Sequence, residues 1–182
     1  MHANKLATGV QRAILVGAFV CMSVAQVTPT VPTIEGESFA GRKVILPDAT
    51  RGKVGVLIFG FTKASKEPTG AWAAKIQSDF GSRAGFEMYQ LPVLEDVPRF
   101  IRGVVISSIK KSVPQGMRDH FVPILQHESE LKKFVSYQEK DDAYLVVLDT
   151  TGRVVYQLHG ALSDAAYQKI RGEVQALLNQ HK

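Results

Sequence analysis

The sequence predicts an α/β fold with a mixed central sheet, and three observations support it. Residues 54–61 (VGVLIFGF) form a nearly continuous apolar run, which is typical of a strand buried on both faces. An amphipathic helical pattern and a second strand follow this run, giving a strand–helix–strand unit whose strands are expected to be parallel. Near the C-terminus, two apolar segments flank a turn and precede another amphipathic helix, which adds an antiparallel pair.

Residues 1–25 have the pattern of a secretory signal peptide. Lys5 and Arg12 supply a positive start, residues 13–22 supply a short apolar stretch, and Ser23 and Ala25 are small residues suited to cleavage. The apolar stretch is shorter than the roughly 20 residues of a comfortable transmembrane helix, although an uncleaved anchor remains an alternative. We therefore expect an exported protein, periplasmic or secreted, with or without such an anchor.

The single cysteine of the chain, Cys21, lies inside this segment. Removing residues 1–25 also removes Lys5 and Arg12 and no acidic residue, so the formal charge falls from +5 to +3. The remaining domain has no thiol, which excludes a disulfide scaffold and a nucleophilic sulfur of its own.

The order of elements in the mature part follows from its patterning. Residues 26–35 are rich in Pro and Thr and suit an extended lead-in, so the domain is expected to span residues 36–182. A turn at Gly41 precedes a short strand. After the buried run, Trp72, Ile76 and Phe80 mark one face of a helix, and residues 86–91 follow as the second strand of the unit.

The C-terminal third carries the clearest pattern. Residues 144–148 (YLVVL) and 153–158 (RVVYQL) are strands separated by the turn at 149–152 (DTTG). Ser163 is a suitable N-cap for a helix that runs to Leu178. One apolar stripe on this helix consists of Tyr167, Ile170, Val174 and Leu177.

This order resembles that of the thioredoxin-like (redoxin) superfamily. Residues 52–65 (GKVGVLIFGFTKAS) are similar to the redoxin core strand and the loop that leads to the active site, and residues 143–160 are similar to the C-terminal hairpin. The resemblance implies a three-layer α/β/α sandwich. It also implies that the active-site loop is formed by Thr62, Lys63, Ala64 and Ser65.

In redoxins the reactive cysteine stands at the start of the first helix, where the helix N-terminus stabilises the thiolate. The spacing of Thr62 and Ser65 resembles the Thr-x-x-Cys of peroxiredoxins, with serine at the cysteine position. We expect Thr62 and Ser65 to cap the helix rather than to act as nucleophiles. The cis-proline that faces the redoxin cysteine is also absent, since Asp142 and Ala143 precede the strand at 144, and we expect a trans bond there.

A narrower similarity lies in residues 89–121, which resemble the insert of the mitochondrial ATP synthase assembly-factor family called "ATP ten". The shared succession is a strand, an apolar and basic helix, a Lys-Ser-x-Pro-like stop, and the cluster at 118–121 (RDHF). Members of that family are thioredoxin-like chaperones for a membrane-embedded subunit. The resemblance therefore implies an assembly factor for a membrane protein complex, and the expected insert covers about residues 95–125.

In the segment at residues 99–113, apolar residues are expected on or near one helical face, together with basic residues. The apolar residues are Phe100, Val104, Ile109 and Val113. Such a helix can lie on an anionic membrane surface or bind a partner, and the alternative is an ordinary helix that packs on the core. We expect Arg118 and Asp119 to form an ion pair that positions the following loop. The residues assigned to partner binding are Phe100, Arg102, Ile109, Lys110, Lys111, Arg118 and Asp119.

Other candidates favour structural interpretations. His120, His127 and His159 lack ligand-like spacing, so we expect surface histidines and no metal. Glu139, Asp141 and Asp142 form an acidic turn that is more typical of a solvated loop than of acid catalysis. No motif indicates a cofactor, and the modest charge with no reader motif argues against a nucleic acid partner.

The sequence thus predicts a redox-inactive protein that acts by protein contact, as a chaperone or assembly factor. A redoxin- or peroxiredoxin-type oxidoreductase that works with a partner's thiol is the alternative. A secreted interaction module of unrelated purpose fits the sequence equally well.

Overall fold

The structure is a computed structural model that describes residues 30–180. The predicted signal segment, including Cys21, lies outside the described residues. Within the described part of the chain, no helix is both long and apolar enough to cross a membrane.

The central sheet has four strands in the order β4-β3-β5-β6. Strand β3 (Val54–Gly60) pairs in parallel with β4 (Phe86–Pro92) and antiparallel with β5 (Tyr144–Leu148), which pairs antiparallel with β6 (Val154–His159). All residues of β3 and β5 are buried, because both strands are interior and both faces of the sheet are covered. The predicted mixed sheet is confirmed.

Helices α1 (Lys66–Phe80) and α4 (Asp164–Gln180) cover one face of the sheet. The expected stripes on these helices are buried, and Trp72 is fully buried as a core anchor, with its indole N–H donating to the carbonyl of Gly160 at 3.0 Å. Ser163 accepts the backbone N–H of Ala166 at 3.3 Å, so it caps α4 as the sequence predicts.

The opposite face is covered by a hairpin of β1 (Ile34–Glu37) and β2 (Lys43–Leu46) and by the short helix α3 (Glu128–Phe134). Strand β1 begins two residues before the expected domain boundary at residue 36, and Val31 and Ile34 are already buried. A Cβ on Gly36 would lie 2.5 Å from a methyl group of Val122, so glycine allows β1 to cross closely over this segment.

The insert between β4 and α3 contains α2 (Arg99–Ser112) and a 3₁₀ turn (Gln115–His120). It returns to the edge of the sheet through isolated parallel bridges from Gln90 to Phe121 and from Val93 to Ile124. The edge strand β4 is therefore partly covered by the end of the insert.

Candidate functional site

The loop that follows β3 is closed by reciprocal hydrogen bonds between Thr62 and Ser65. The Ser65 backbone N–H donates to Thr62 Oγ1 at 3.1 Å, and the Thr62 backbone N–H donates to Ser65 Oγ at 3.2 Å. The Ser65 hydroxyl donates in turn to the Thr62 carbonyl at 2.8 Å. This reciprocal pattern resembles a capping box, but it closes the turn before α1 and not the helix itself. Ser65 is the N-cap residue of α1 and its side chain makes no capping hydrogen bond to the helix, so the expectation that Thr62 and Ser65 cap the helix is wrong.

The environment of Ser65 fits a structural role. Ser65 is 1 % exposed, and its oxygen both donates and accepts within the loop. A Cβ on Gly60 would lie 2.7 Å from that oxygen, so the end of β3 is shaped around the serine. A buried hydroxyl engaged in this way, without a base among its hydrogen-bond partners, is not activated for attack.

Side chains of the turn before β5 bond to this loop on one side and to the end of β6 on the other. The Thr62 hydroxyl donates to Asp141 Oδ1 at 2.8 Å, and Asp142 Oδ2 lies 2.7 Å from His159 Nδ1. The acidic turn is therefore bonded to the loop and to β6 as well as solvated. The ring of Tyr144 is stacked between Tyr137 and His159, with centroid distances of 5.4 Å on both sides.

A charged cluster on α3 lies beside the same loop. The Lys132 ammonium lies 5.9 Å from the ring centroid of Phe61 and 4.9 Å from that of Tyr137, and it pairs with Glu128 at 2.5 Å. The hydrogen bond to Glu128 raises the pKa of Lys132 above its ordinary value, because it favours the charged form. Burial raises the pKa of Tyr137. The cation thus stays charged and fixed against two aromatic faces.

The chemistry available at this loop excludes thiol exchange by the described residues. They contain no cysteine, and the bond between Asp142 and Ala143 is trans as expected. Within residues 30–180, His, Asp and Glu side chains form no group of three that could hold a metal ion. Hydroxyls cannot follow the reversible oxidation steps of sulfur.

Helix α2 has two different faces. Its half-buried side chains recur at Arg102, Val105, Ile106 and Ile109, and this inner face continues to Val113, which is 7 % exposed. The outer face carries Phe100, 87 % exposed, and Val104, 71 % exposed. The expectation that Phe100, Val104, Ile109 and Val113 share one face is therefore wrong, because the two pairs project to opposite sides.

Three of the residues assigned to partner binding are used inside the fold. Arg102 donates to the carbonyls of Glu95 and Val97 at 2.7 and 2.9 Å, and Arg118 donates to the carbonyls of Val113 and Lys110 at 3.3 and 3.4 Å. Asp119 pairs with Arg42 at 3.5 Å. The expected ion pair between Arg118 and Asp119 is wrong, because each side chain finds a different partner. Lys110 and Lys111 are exposed, and Ile109 lies on the inner face.

Glu87 on β4 fastens the insert to the sheet edge. Its carboxylate binds His120 at 2.5 Å and also contacts the ammonium of Lys53. The hydrogen bond from His120 lowers the pKa of Glu87 to about 2, since it favours the ionised form. The ring of Phe121 stacks on Phe39 at 5.1 Å, so the end of the insert is held from two sides.

A groove of about 650 Å³ separates α2 from the start of the domain. One wall is the segment 32–39, which includes β1, and the other is the segment 123–127, with Leu131 of α3. Ile106 and Lys110 of α2 complete the lining, and Leu125 is a large apolar side chain that is 37 % exposed. Its lining mixes apolar and polar surface, and Glu35, Glu37, Lys110 and His127 are the charged or titratable residues within it.

Comparison with solved structures identifies the fold. BsSco, a member of the Sco family of cytochrome c oxidase assembly proteins, superposes with a TM-score of 0.58 at 13 % identity over 84 % of this chain and 95 % of its own. A thiol-disulfide oxidoreductase from Bacteroides fragilis gives 0.55 at 16 % identity over 79 % and 98 %. The exposed lipoprotein thioredoxin Etrx1 from Streptococcus pneumoniae gives 0.55 at 12 % identity over 78 % and 99 %.

The chain therefore has the thioredoxin-like fold, as an α/β protein with a mixed sheet and flanking helices. No family model and no curated protein matches the sequence. The resemblance of residues 89–121 to the "ATP ten" assembly factors is not shown by these comparisons and stays a hypothesis.

Proposed function

We propose that this protein acts by protein contact rather than by redox chemistry, as a chaperone or assembly factor for a membrane protein complex. The observation that carries the proposal is the closed bonding of Ser65 at the position where the redoxin resemblance places a reactive cysteine. A loop whose Ser65 hydroxyl is buried and bonded, and which has no thiol, cannot exchange disulfides by its own side chains. The same chain adds an insert whose groove and helix face are not needed to complete the core.

The client contact is assigned to the groove between α2 and β1. Its volume is in the range of ligand pockets in proteins, and its wall exposes apolar surface at Ile106 and Leu125. Lys110 at its side can pair with an acidic group of the client. A cleft with both apolar and charged groups suits an amphipathic segment, extended or helical, such as the exposed part of an unassembled membrane subunit.

Two further facts support this assignment. The insert is held rigidly to the sheet by Glu87 and by the parallel bridges, so the groove has a fixed shape that is ready to bind. One structural neighbour belongs to a family described as cytochrome c oxidase assembly proteins, and this description supports the proposal at the level of the shared fold.

Crosslinking and recovery of the tagged full-length protein from membranes tests the proposal. The variant combines Leu125→Asp with Lys110→Glu, and the matched control is Val155→Asp, an apolar residue on β6 that is 43 % exposed. We expect the native chain and the control to recover the same membrane complex and the groove variant to lose it. Equal recovery by all three, or turnover of a thiol or peroxide substrate by the domain, would contradict the proposal.

A further inference from the structure

The outer face of α2 is an amphipathic surface that nothing in the described structure covers. Phe100 and Val104 lie one helical turn apart, at positions i and i+4, and both are largely exposed. Arg99 and Lys111 are exposed near the two ends of this 14-residue helix, which is about 21 Å long. Two bare apolar side chains on a rigid helix, flanked by cations, form a surface that favours a partner.

The charge of this region indicates the chemistry of that partner. Residues 97–118 contain five basic and no acidic residues. Two acidic residues precede the helix, and both face α3: Glu95 accepts the backbone N–H of Glu128 at 2.6 Å, and Asp96 lies 3.9 Å from Lys132. Arg102 and Arg118 are bonded inside the fold and Lys110 lines the groove, so Arg99 and Lys111 are the exposed cations of α2 that flank Phe100 and Val104 in the chain. Exposed apolar side chains together with these cations complement an anionic lipid surface.

The place where the N-terminal segment enters the domain also favours a membrane near α2. The described structure begins at Thr30, and the apolar run at residues 13–22 lies eight or more residues before it. Pro32 and Thr33 line the groove together with Ile106 and Lys110, so the chain enters the domain beside α2. Attachment of the N-terminal run to a bilayer would hold the α2 side of the domain close to that bilayer.

We propose that the outer face of α2 docks on an anionic membrane surface, with Phe100 and Val104 entering the interface and Arg99 and Lys111 binding lipid phosphates. This inference rests on the proposed function and gives it a geometry: α2 holds the domain on the membrane and leaves the groove open to the client. The two surfaces are separate, since the groove lies on the inner side of the helix.

Binding of the full-length protein to vesicles tests this docking. Vesicles of equimolar phosphatidylcholine and phosphatidylglycerol are compared with phosphatidylcholine alone, by co-sedimentation. The apolar variant is Phe100→Ser with Val104→Ser, the charge variant is Arg99→Gln with Lys111→Gln, and the control is Val155→Ser. Because all carry the same N-terminal segment, differences between them report on α2.

On anionic vesicles we expect the apolar variant to lose about tenfold in affinity. The charge variant should lose about fivefold for each cation, and only on anionic vesicles. The control should bind like the native chain. A Phe100→Trp variant should shift its emission to the blue on binding, against the constant background of the fully buried Trp72.

Equal binding of the native chain to both vesicle types, or unchanged binding of both double variants, would overturn the membrane contact. Loss of the client without loss of vesicle binding in the apolar variant would assign the face to protein instead, and would overturn it as well. The groove variant separates the two proposals, because Leu125→Asp with Lys110→Glu should lose the client and keep most vesicle binding.

Discussion

At the residue scale, Thr62 and Ser65 determine the structure of the loop where the redoxin resemblance places a reactive cysteine. In the thioredoxin-like fold, the first turn of the helix after the central strand favours a thiolate, because free N–H groups and the helix dipole stabilise negative charge there. Here Thr62 and Ser65 bond to each other in the turn before the helix, and the Ser65 hydroxyl is buried. The position has become part of the scaffold.

Removing the hydrogen bonds of the Thr62 hydroxyl should destabilise the domain. Thr62→Ala removes the acceptor for the Ser65 N–H and the donor to Asp141, so we expect a loss of about 1–2 kcal/mol in the free energy of unfolding. Urea denaturation measures the change. Lys63→Ala, an exposed substitution in the same loop, should stay within about 0.5 kcal/mol. If both variants have the same urea midpoint of unfolding as the native chain, the bonds of the Thr62 hydroxyl do not stabilise the fold.

Glu87 should give the fold an acid-sensitive contact. Its pKa is lowered from 4.5 to about 2, so its stabilisation is complete above about pH 4.5 and is lost as the pH falls from there towards 2. Glu87→Gln should unfold more easily at pH 7, and the difference from the native chain should shrink across this window. Thermal unfolding at several pH values measures it; a difference that is constant from pH 7 to pH 2 would rule out this contact.

At the element scale, α2 differs from an ordinary surface helix because it exposes apolar residues on its outer face. Its inner face is only half-buried, and none of its side chains is fully buried. It is held largely by its ends, through Arg102 to the preceding loop and through Arg118 and Val113 to the following turn. This leaves the outer apolar residues free for another surface.

Substitutions on the two faces should therefore have unequal effects on stability. Ile109→Ala removes half-buried apolar contacts and should cost about 1–2 kcal/mol of the free energy of unfolding. Phe100→Ala should change it by less than about 0.5 kcal/mol, because the ring is almost fully solvated in the free protein. Chemical denaturation of the two variants compares them. A large loss for Phe100→Ala would show that the ring packs on the domain.

Much of the fold could be predicted from sequence, because its signals are local. The buried run of β3, the turn before β6 and the stripe of α4 each depend on patterning within about 20 residues, and each is confirmed. Helix α3 was not predicted, since seven residues carry too short a pattern and its N-cap position is a left-handed His127. The first half of β1, Ile34 and Glu35, falls in the predicted lead-in, because the strand packs close to Val122, which is far away in the chain.

The candidate site was predictable only in part. The spacing of Thr62 and Ser65 predicts that they interact, but their bonds close the turn before α1 and do not cap the helix. The bond to Asp141 and the ring stack of Tyr137, Tyr144 and His159 join segments distant in sequence. The same holds for Glu87 and His120, which are 33 residues apart. The orientation of α2 also required the structure, because its sequence has apolar residues on both faces.

At the scale of the whole molecule, the loop after β3 and the insert that contains α2 differ in how much of their surface is available for binding. The loop at Thr62 bonds its polar groups to one another, whereas the groove and the outer face of α2 expose apolar side chains that lie outside the core. Function is therefore expected to follow the insert rather than the loop after β3.

The most direct test compares client recovery by two full-length variants side by side. One carries Leu125→Asp with Lys110→Glu in the groove, and the other carries Thr62→Ala with Lys63→Ala in the redoxin-equivalent loop. The account predicts that the groove variant loses the membrane complex and that the loop variant, once shown to be folded, recovers it like the native chain. Loss of the complex by the folded loop variant, with full recovery by the groove variant, would contradict the account and return the function to the redoxin position.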